Sequence, residues 1–233
     1  MDVAITVNPV SRLFNSYLFE GFKEINTQFT YFNGFSIQQK QKSIESLHSA
    51  IKKLYPESKV LEISRYSFTE LGTKLSAFNL EVSIDGKKTT VESAFQSSKV
   101  FENGGPYTDL LFGPSIVSKK DERLYSSGRL TGFVLLGNEF PTNPKTFFYD
   151  WLYVNAISQN KELLAELSEY NAFTDIAFNP QKSINCQARS AAICVSLLRK
   201  DLLLDALKSK DAFRKIVYLN ESPITEGIQI SLF

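Results

Sequence analysis

Apolar positions recur along this chain at two spacings. From Ser36 to Pro56, Ile37, Ile44, Leu47, Ile51 and Leu54 share one side of a 3.6-residue repeat. That spacing predicts an amphipathic helix, opened by Ser36 with Gln39 and stopped before Pro56. Leu80, Val82 and Ile84 instead alternate with polar residues, as in a half-buried strand, and Asp85-Gly86 supplies a tight turn from which the chain returns through Lys87 to Thr90. Further helical patterns cover Glu92 to Phe101, Thr146 to Ser158, Lys161 to Tyr170, Ile184 to Leu198 and Asp201 to Lys208. Val3 to Val7, Val60 to Ile63, Thr131 to Leu136 and Ile216 to Leu219 read as extended pieces. Together these predict a mainly α fold within the α+β class, a single domain over residues 1–233 whose helices carry the core and whose short strands are peripheral. Glu221 to Phe233 reads as a loosely held tail.

Composition narrows the chemistry. With 43% hydrophobic residues in 233, the chain can bury a sizeable core. Its 26 basic and 25 acidic side chains leave a net charge of +1, which argues against bulk electrostatic attachment to nucleic acid and leaves room only for a local patch. Lys87-Lys88 and Lys119-Lys120 are the candidates, although exposed lysine pairs in loops ordinarily serve solubility. Cys186 and Cys194 lie more than two turns apart on one predicted helix, too far for a disulfide between them, and are expected as buried thiols. The single histidine, His48, flanks an apolar stripe and is expected to pack rather than react. No zinc-ligand spacing, catalytic triad or phosphate-binding glycine loop is present, so metal-free chemistry without a cofactor is expected. Met1 to Val10 lacks a targeting pattern and no run of about eighteen apolar residues occurs, so a cytoplasmic protein with no membrane contact is expected. Two long connections, Asn103 to Ser127 and Asn171 to Lys182, are either rims of a pocket or plain surface loops.

One segment carries chemistry. Val91 to Lys99 reads VESAFQSSK, and steps of four and three place Glu92, Gln96 and Lys99 on one face of the predicted helix. A carboxylate, an amide and an amine can thereby share one cavity. The same residues admit a structural reading, in which Thr89 and Glu92 form a capping box while Gln96 and Lys99 are solvated.

Lys74-Leu75-Ser76-Ala77-Phe78-Asn79, the Asp85-Gly86 hairpin and VESAFQSSK, in that order, resemble the opening signature of the NADAR (YbiA-like) superfamily. Gly128-Arg129, Phe148-Tyr149-Asp150-Trp151, Ala172 to Pro180 and Ile184-Asn185-Cys186-Gln187-Ala188 continue the likeness over about residues 74–199. Residues 1–73 are then an extension packed on a helical YbiA-like domain. Ser36 to Ser43 and Gly104 to Asp109 are most similar to the branch associated with DarT-type toxins. The chain departs from the superfamily at Ala77, where many members have asparagine, at Thr174, near their tryptophan, and at Gln187-Ala188, which replaces a Leu-Gly pair.

The resemblance implies cleavage of an N-glycosidic bond to ribose. Its nearest branch implies removal of ADP-ribose from ADP-ribosylated guanine, in nucleic acid or nucleotide, as an antitoxin against a neighbouring ADP-ribosyltransferase toxin. Glu92, Lys99 and Asp175 are then the catalytic candidates: Glu92 to stabilise positive charge on the sugar, Lys99 to attack the anomeric carbon as a neutral amine or to bind phosphate, and Asp175 as a second acid/base or ribose acceptor. Ser76, Phe78, Asn79, Gln96, Arg129, Trp151, Asn185 and Gln187 are the candidate substrate-binding residues, and no metal ligand is assigned. A small-molecule N-glycosidase acting on riboflavin-pathway ribosylaminopyrimidine phosphates and a non-catalytic ADP-ribose-binding or toxin-binding protein are the alternatives.

Overall fold

The computed structural model describes residues 11–15, 23–179 and 183–218. Val3 to Val7 and Glu221 to Phe233 lie outside them. In chain order the elements are β1 (Ser11–Asn15), β2 (Lys23–Thr27), α1 (Ile37–Leu54), β3 (Val60–Glu62), α2 (Glu70–Lys74), β4 (Glu81–Ile84), β5 (Lys87–Thr90), α3 (Val91–Ser97) and β6 (Lys99–Phe101). A 3₁₀ turn (Thr108–Leu110) precedes α4 (Ser115–Lys120), α5 (Arg123–Ser126), β7 (Leu130–Leu135), β8 (Asn138–Pro141), α6 (Phe147–Ser158), α7 (Lys161–Ser168), β9 (Ala172–Thr174), α8 (Gln187–Arg199), α9 (Leu203–Leu207) and α10 (Lys210–Tyr218).

Local rules account for many of these boundaries. Ser36 caps α1, its hydroxyl accepting from the Gln39 amide, and α1 ends two residues before Pro56. Asp85 and Gly86 both take positive φ, 49° and 75°, as a two-residue hairpin turn between β4 and β5 requires. By contrast, of Ile216 to Leu219, expected as extended, Ile216 to Tyr218 are helical and Leu219 lies outside the described residues. Their β-branched and aromatic side chains favour a strand locally, but α10 buries Phe213 beside Phe147 and carries Tyr218 to Asp150, and that packing outweighs propensity.

Strands contribute more than a periphery, which corrects the helix-dominated expectation to a mixed α+β architecture. One sheet runs β2-β1-β9-β3, with β9 parallel to β3 and antiparallel to β1; a second runs β6-β7-β8. Alternation along β3 and β9 divides two cores. Leu61 and Phe173 join the main cluster with α6 and α8, while Val60 and Ala172 meet α1 through Ile44, Leu47 and Ile51. Helix α6 is apolar nearly all round and buried at nine positions, as befits a central element, and alanines 188, 191 and 192 let α8 pack closely against it.

Asp150 fastens three helices. It is 0% exposed; Oδ1 accepts from the Ser190 hydroxyl (2.5 Å), and Oδ2 accepts from the Tyr218 hydroxyl (2.5 Å) and the Arg189 guanidinium. Removing one member of a buried charge pair leaves the other short of compensation. Asp150→Ala is therefore expected to cost about 3–5 kcal/mol in urea unfolding, and a loss under about 1 kcal/mol would contradict this role.

Candidate functional site

The hairpin delivers the chain into α3, and Thr90 caps that helix by accepting from the Ser93 amide (3.2 Å). The Thr89–Glu92 capping box is not formed, because the Thr89 hydroxyl donates to the Leu111 carbonyl. Glu92 is thus released from structural duty at the helix start. All seven residues of α3 are buried, so none of its faces is solvated. Glu92 is 5% exposed; its Oε1 accepts from Gln96 Nε2 (2.9 Å) and lies 3.5 Å from Lys119 Nζ. Gln96 Oε1 is buried without a partner among the described residues, an acceptor that a ligand donor would satisfy.

Lys99 does not continue the helix. The Ser97 and Ser98 hydroxyls turn back on the Ala94 carbonyl (3.0 and 2.7 Å), offering the backbone an alternative to helical pairing, and Lys99 opens β6 opposite Phe133. Its amine still returns to α3, 5.0 Å from the centre of the Phe95 ring. Burial drives the Lys99 pKa from 10.5 to about 8, with the Glu92 charge opposing the fall and the Lys119 charge adding to it.

A chain of hydrogen bonds joins α3 to the late loop. Glu92 N–H donates to the Ala77 carbonyl (2.9 Å), Ala77 N–H to Gln187 Oε1, and Gln187 Nε2 to Asp175 Oδ2 (3.0 Å). The amides of Ala177 and Phe178 donate to Asp175 Oδ1 (3.0 and 3.1 Å). Burial raises the Asp175 pKa to about 6 against these donors. Glu62, on the α1 side of the sheet, is also raised to about 7, chiefly by burial and then by the Asp175 charge.

Tyr149, which sequence reasoning passed over, belongs to this cluster. Its ring meets Phe95 edge-on with centroids 5.1 Å apart, and its pKa is pushed well up by burial, with Glu92, Asp175 and Cys186 among the charges that add to the rise. Trp151 is not brought here: it lies about 200° around α6 from Tyr149 and packs on Phe140 at 4.9 Å. Because α6 is apolar all round, no stripe in the sequence distinguished the two aromatics. Arg129 is likewise elsewhere, exposed beyond the far end of β6 and paired with Glu102 (3.0 Å). The Asn79 amide donates to the Thr73 carbonyl (2.9 Å) beside α2. Ser76 and Phe78 flank the linking Ala77, and Asn185 stands just ahead of α8 with its Oδ1 buried and unpartnered among the described residues.

The Asn103–Ser127 connection holds helices rather than a bare loop, and α4 packs on α3. Lys119, a candidate for a local basic patch or for solubility alone, reaches from α4 to Glu92. Of the second connection, residues 180–182 lie outside the described part.

Elsewhere, a cavity of about 700 Å³ opens on the α1 side of the sheet, lined in part by His48, Lys52, Lys59 and Tyr170. His48 Nε2 meets Thr174 Oγ1 (3.0 Å), which donates to Glu62, so His48 serves there as a donor; burial and then Lys52 lower its pKa to about 4. Cys186 and Cys194 are free and buried, with pKa values raised by burial. Among the described residues no three His, Cys, Asp or Glu side chains form a metal-ligating group.

A family model described as DarT1-associated NADAR antitoxin matches residues 14–226. The chain belongs to the DarT1-associated NADAR family. No curated protein matches the sequence. The NADAR match is longer than the 74–199 stretch that carries the resemblance, and it takes in α1 and β3, on which β9 and Asp175 depend. Glu92, Lys99 and Asp175 all fall within it.

Proposed function

We propose that the chain is a metal-free N-glycosidase that releases ADP-ribose from ADP-ribosylated guanine, reversing the modification made by a DarT1-type toxin. NADAR proteins are in general ADP-ribose glycohydrolases, which supplies the reaction class. One observation carries the reading for this chain: a buried carboxylate, Glu92, lies within electrostatic reach of Lys99, whose pKa burial lowers to about 8.

Breaking the bond from the anomeric carbon to the guanine nitrogen builds positive charge on the ribose. Glu92, held by Gln96 in a poorly hydrated site, opposes that charge more effectively than it would in water. The neutral Lys99 amine attacks the anomeric carbon as the bonding pair leaves with guanine, which takes a proton. The sugar ring then opens with a proton to its ring oxygen, giving an imine that water hydrolyses to ADP-ribose and free lysine. Asp175, ionised above about 6 and fixed by three N–H donors, accepts a ribose hydroxyl. Tyr149 and Phe95 wall the sugar.

No helix among the described residues is long and apolar enough to cross a membrane, and the expected substrate is a modified nucleotide or nucleic acid. The deciding experiment incubates the purified chain with ADP-ribosylated guanine in single-stranded DNA, alongside a ribosylaminopyrimidine phosphate. ADP-ribose release from the DNA alone is expected. Cleavage of the pyrimidine alone, or ADP-ribose binding without release, would replace this reading with the small-molecule enzyme or the silent binder.

A further inference from the structure

The Glu92 pair with Lys119 is unusual in its placement. The Glu92 side chain is 7% exposed and that of Lys119 50%, so the bridge joins the buried cluster to the surface. The Lys119 position is built rather than incidental. The Ser118 hydroxyl, on the same short helix, donates to the Leu110 carbonyl (3.1 Å), and the Ser115 hydroxyl donates to the Phe78 carbonyl (2.9 Å). The Lys119 amine rests 4.7 Å from the centre of the half-buried Phe78 ring. Glu92 thus lies beside Lys119 and within electrostatic reach of Lys99, and it already holds an amide hydrogen bond from Gln96.

An anion arriving from solvent meets the half-exposed Lys119 before the buried Glu92. Their 3.5 Å contact is a looser pairing than the 2.7–2.9 Å of a good ammonium–oxygen hydrogen bond, so a phosphate oxygen competes well for the amine. We propose that Lys119 is the anion-recognition residue of this site, exchanging Glu92 for a phosphate of the substrate diphosphate and so selecting ADP-ribosyl over bare ribosyl substrates. This assignment rests on the glycosidase reading for its kinetic test, and on geometry alone for its binding test.

The test compares wild type, Lys119→Ala and Lys119→Arg on guanosine carrying ADP-ribose and on guanosine carrying ribose alone at the same nitrogen. Lys119→Ala is expected to lose about 10- to 100-fold in kcat/KM on the first substrate and to change less than about twofold on the second, with Lys119→Arg recovering most of the loss. Equal losses on both substrates, or none on either, would overturn the assignment. Calorimetric titration with ADP-ribose separates it from the glycosidase reading. If wild type releases nothing, that reading fails, whereas Lys119 stands if ADP-ribose binds wild type at least about tenfold more tightly than Lys119→Ala. Equal binding, or binding to neither protein, overturns it. Matching thermal midpoints of the three proteins check that the half-exposed substitution leaves the fold intact.

Discussion

Glu92→Gln is expected to slow ADP-ribose release by about 10³-fold or more while the protein stays folded. The size follows from chemistry. In the proposed reaction the carboxylate faces positive charge that exists only in the transition state, and a neutral amide of the same shape cannot oppose it. The retained fold follows from geometry: Thr90, not Glu92, caps α3, and the backbone bond from residue 92 to the Ala77 carbonyl survives the substitution. Release kinetics and a thermal melt on one preparation check both halves. Activity within tenfold of wild type would remove Glu92 from the mechanism, and unfolding would return it to a structural role.

Substituting Lys99 is expected to have an effect of similar size and to separate two mechanisms. Lys99→Met removes both charge and nucleophile, whereas Lys99→Arg keeps a cation and loses the attacking amine. In the covalent route both variants fall by about 10³-fold, and borohydride added during wild-type turnover traps a lysine adduct. Near-wild-type activity in Lys99→Arg, or no adduct, would exclude that route. The pH profile adds a signed test. With a pKa of about 8, roughly one amine in ten is neutral at pH 7 and half are at pH 8, so kcat/KM should rise with pH and level off above about 8. A profile that falls over that range would mean that the charged lysine is the active form.

Much of this cluster was visible in the linear pattern. VESAFQSSK named Glu92, Gln96 and Lys99 before any coordinates, because a carboxylate and an amide four residues apart must meet on a helix, as the 2.9 Å bond between them confirms. Neighbours distant in sequence decide the rest. Lys99 leaves the helix to pair with Phe133 in β7, a partner thirty-four positions away. Lys119 looked like half of a solvated lysine pair, since nothing local indicates that α4 turns it toward Glu92. Tyr149, not Trp151, meets Phe95 on α3, because rotation of an apolar helix is set by what packs around it.

The chain by itself determined the elements written in short-range physics: the Ser36 cap and stripe of α1, the Asp85-Gly86 hairpin, the start of α3, and the apolar run of α6. These depend on residues within a turn or two of one another, where spacing and turn chemistry suffice. Only the tertiary structure decided that β9 lies between β1 and β3, that Asp175 is tied to Ala77 through Gln187, and that two lysines rather than one approach Glu92. Several of these contacts join segments far apart in sequence, Ala77 to Gln187 across 110 positions, and they form because burying the shared core fixes which faces meet, a choice that no local window of the sequence contains.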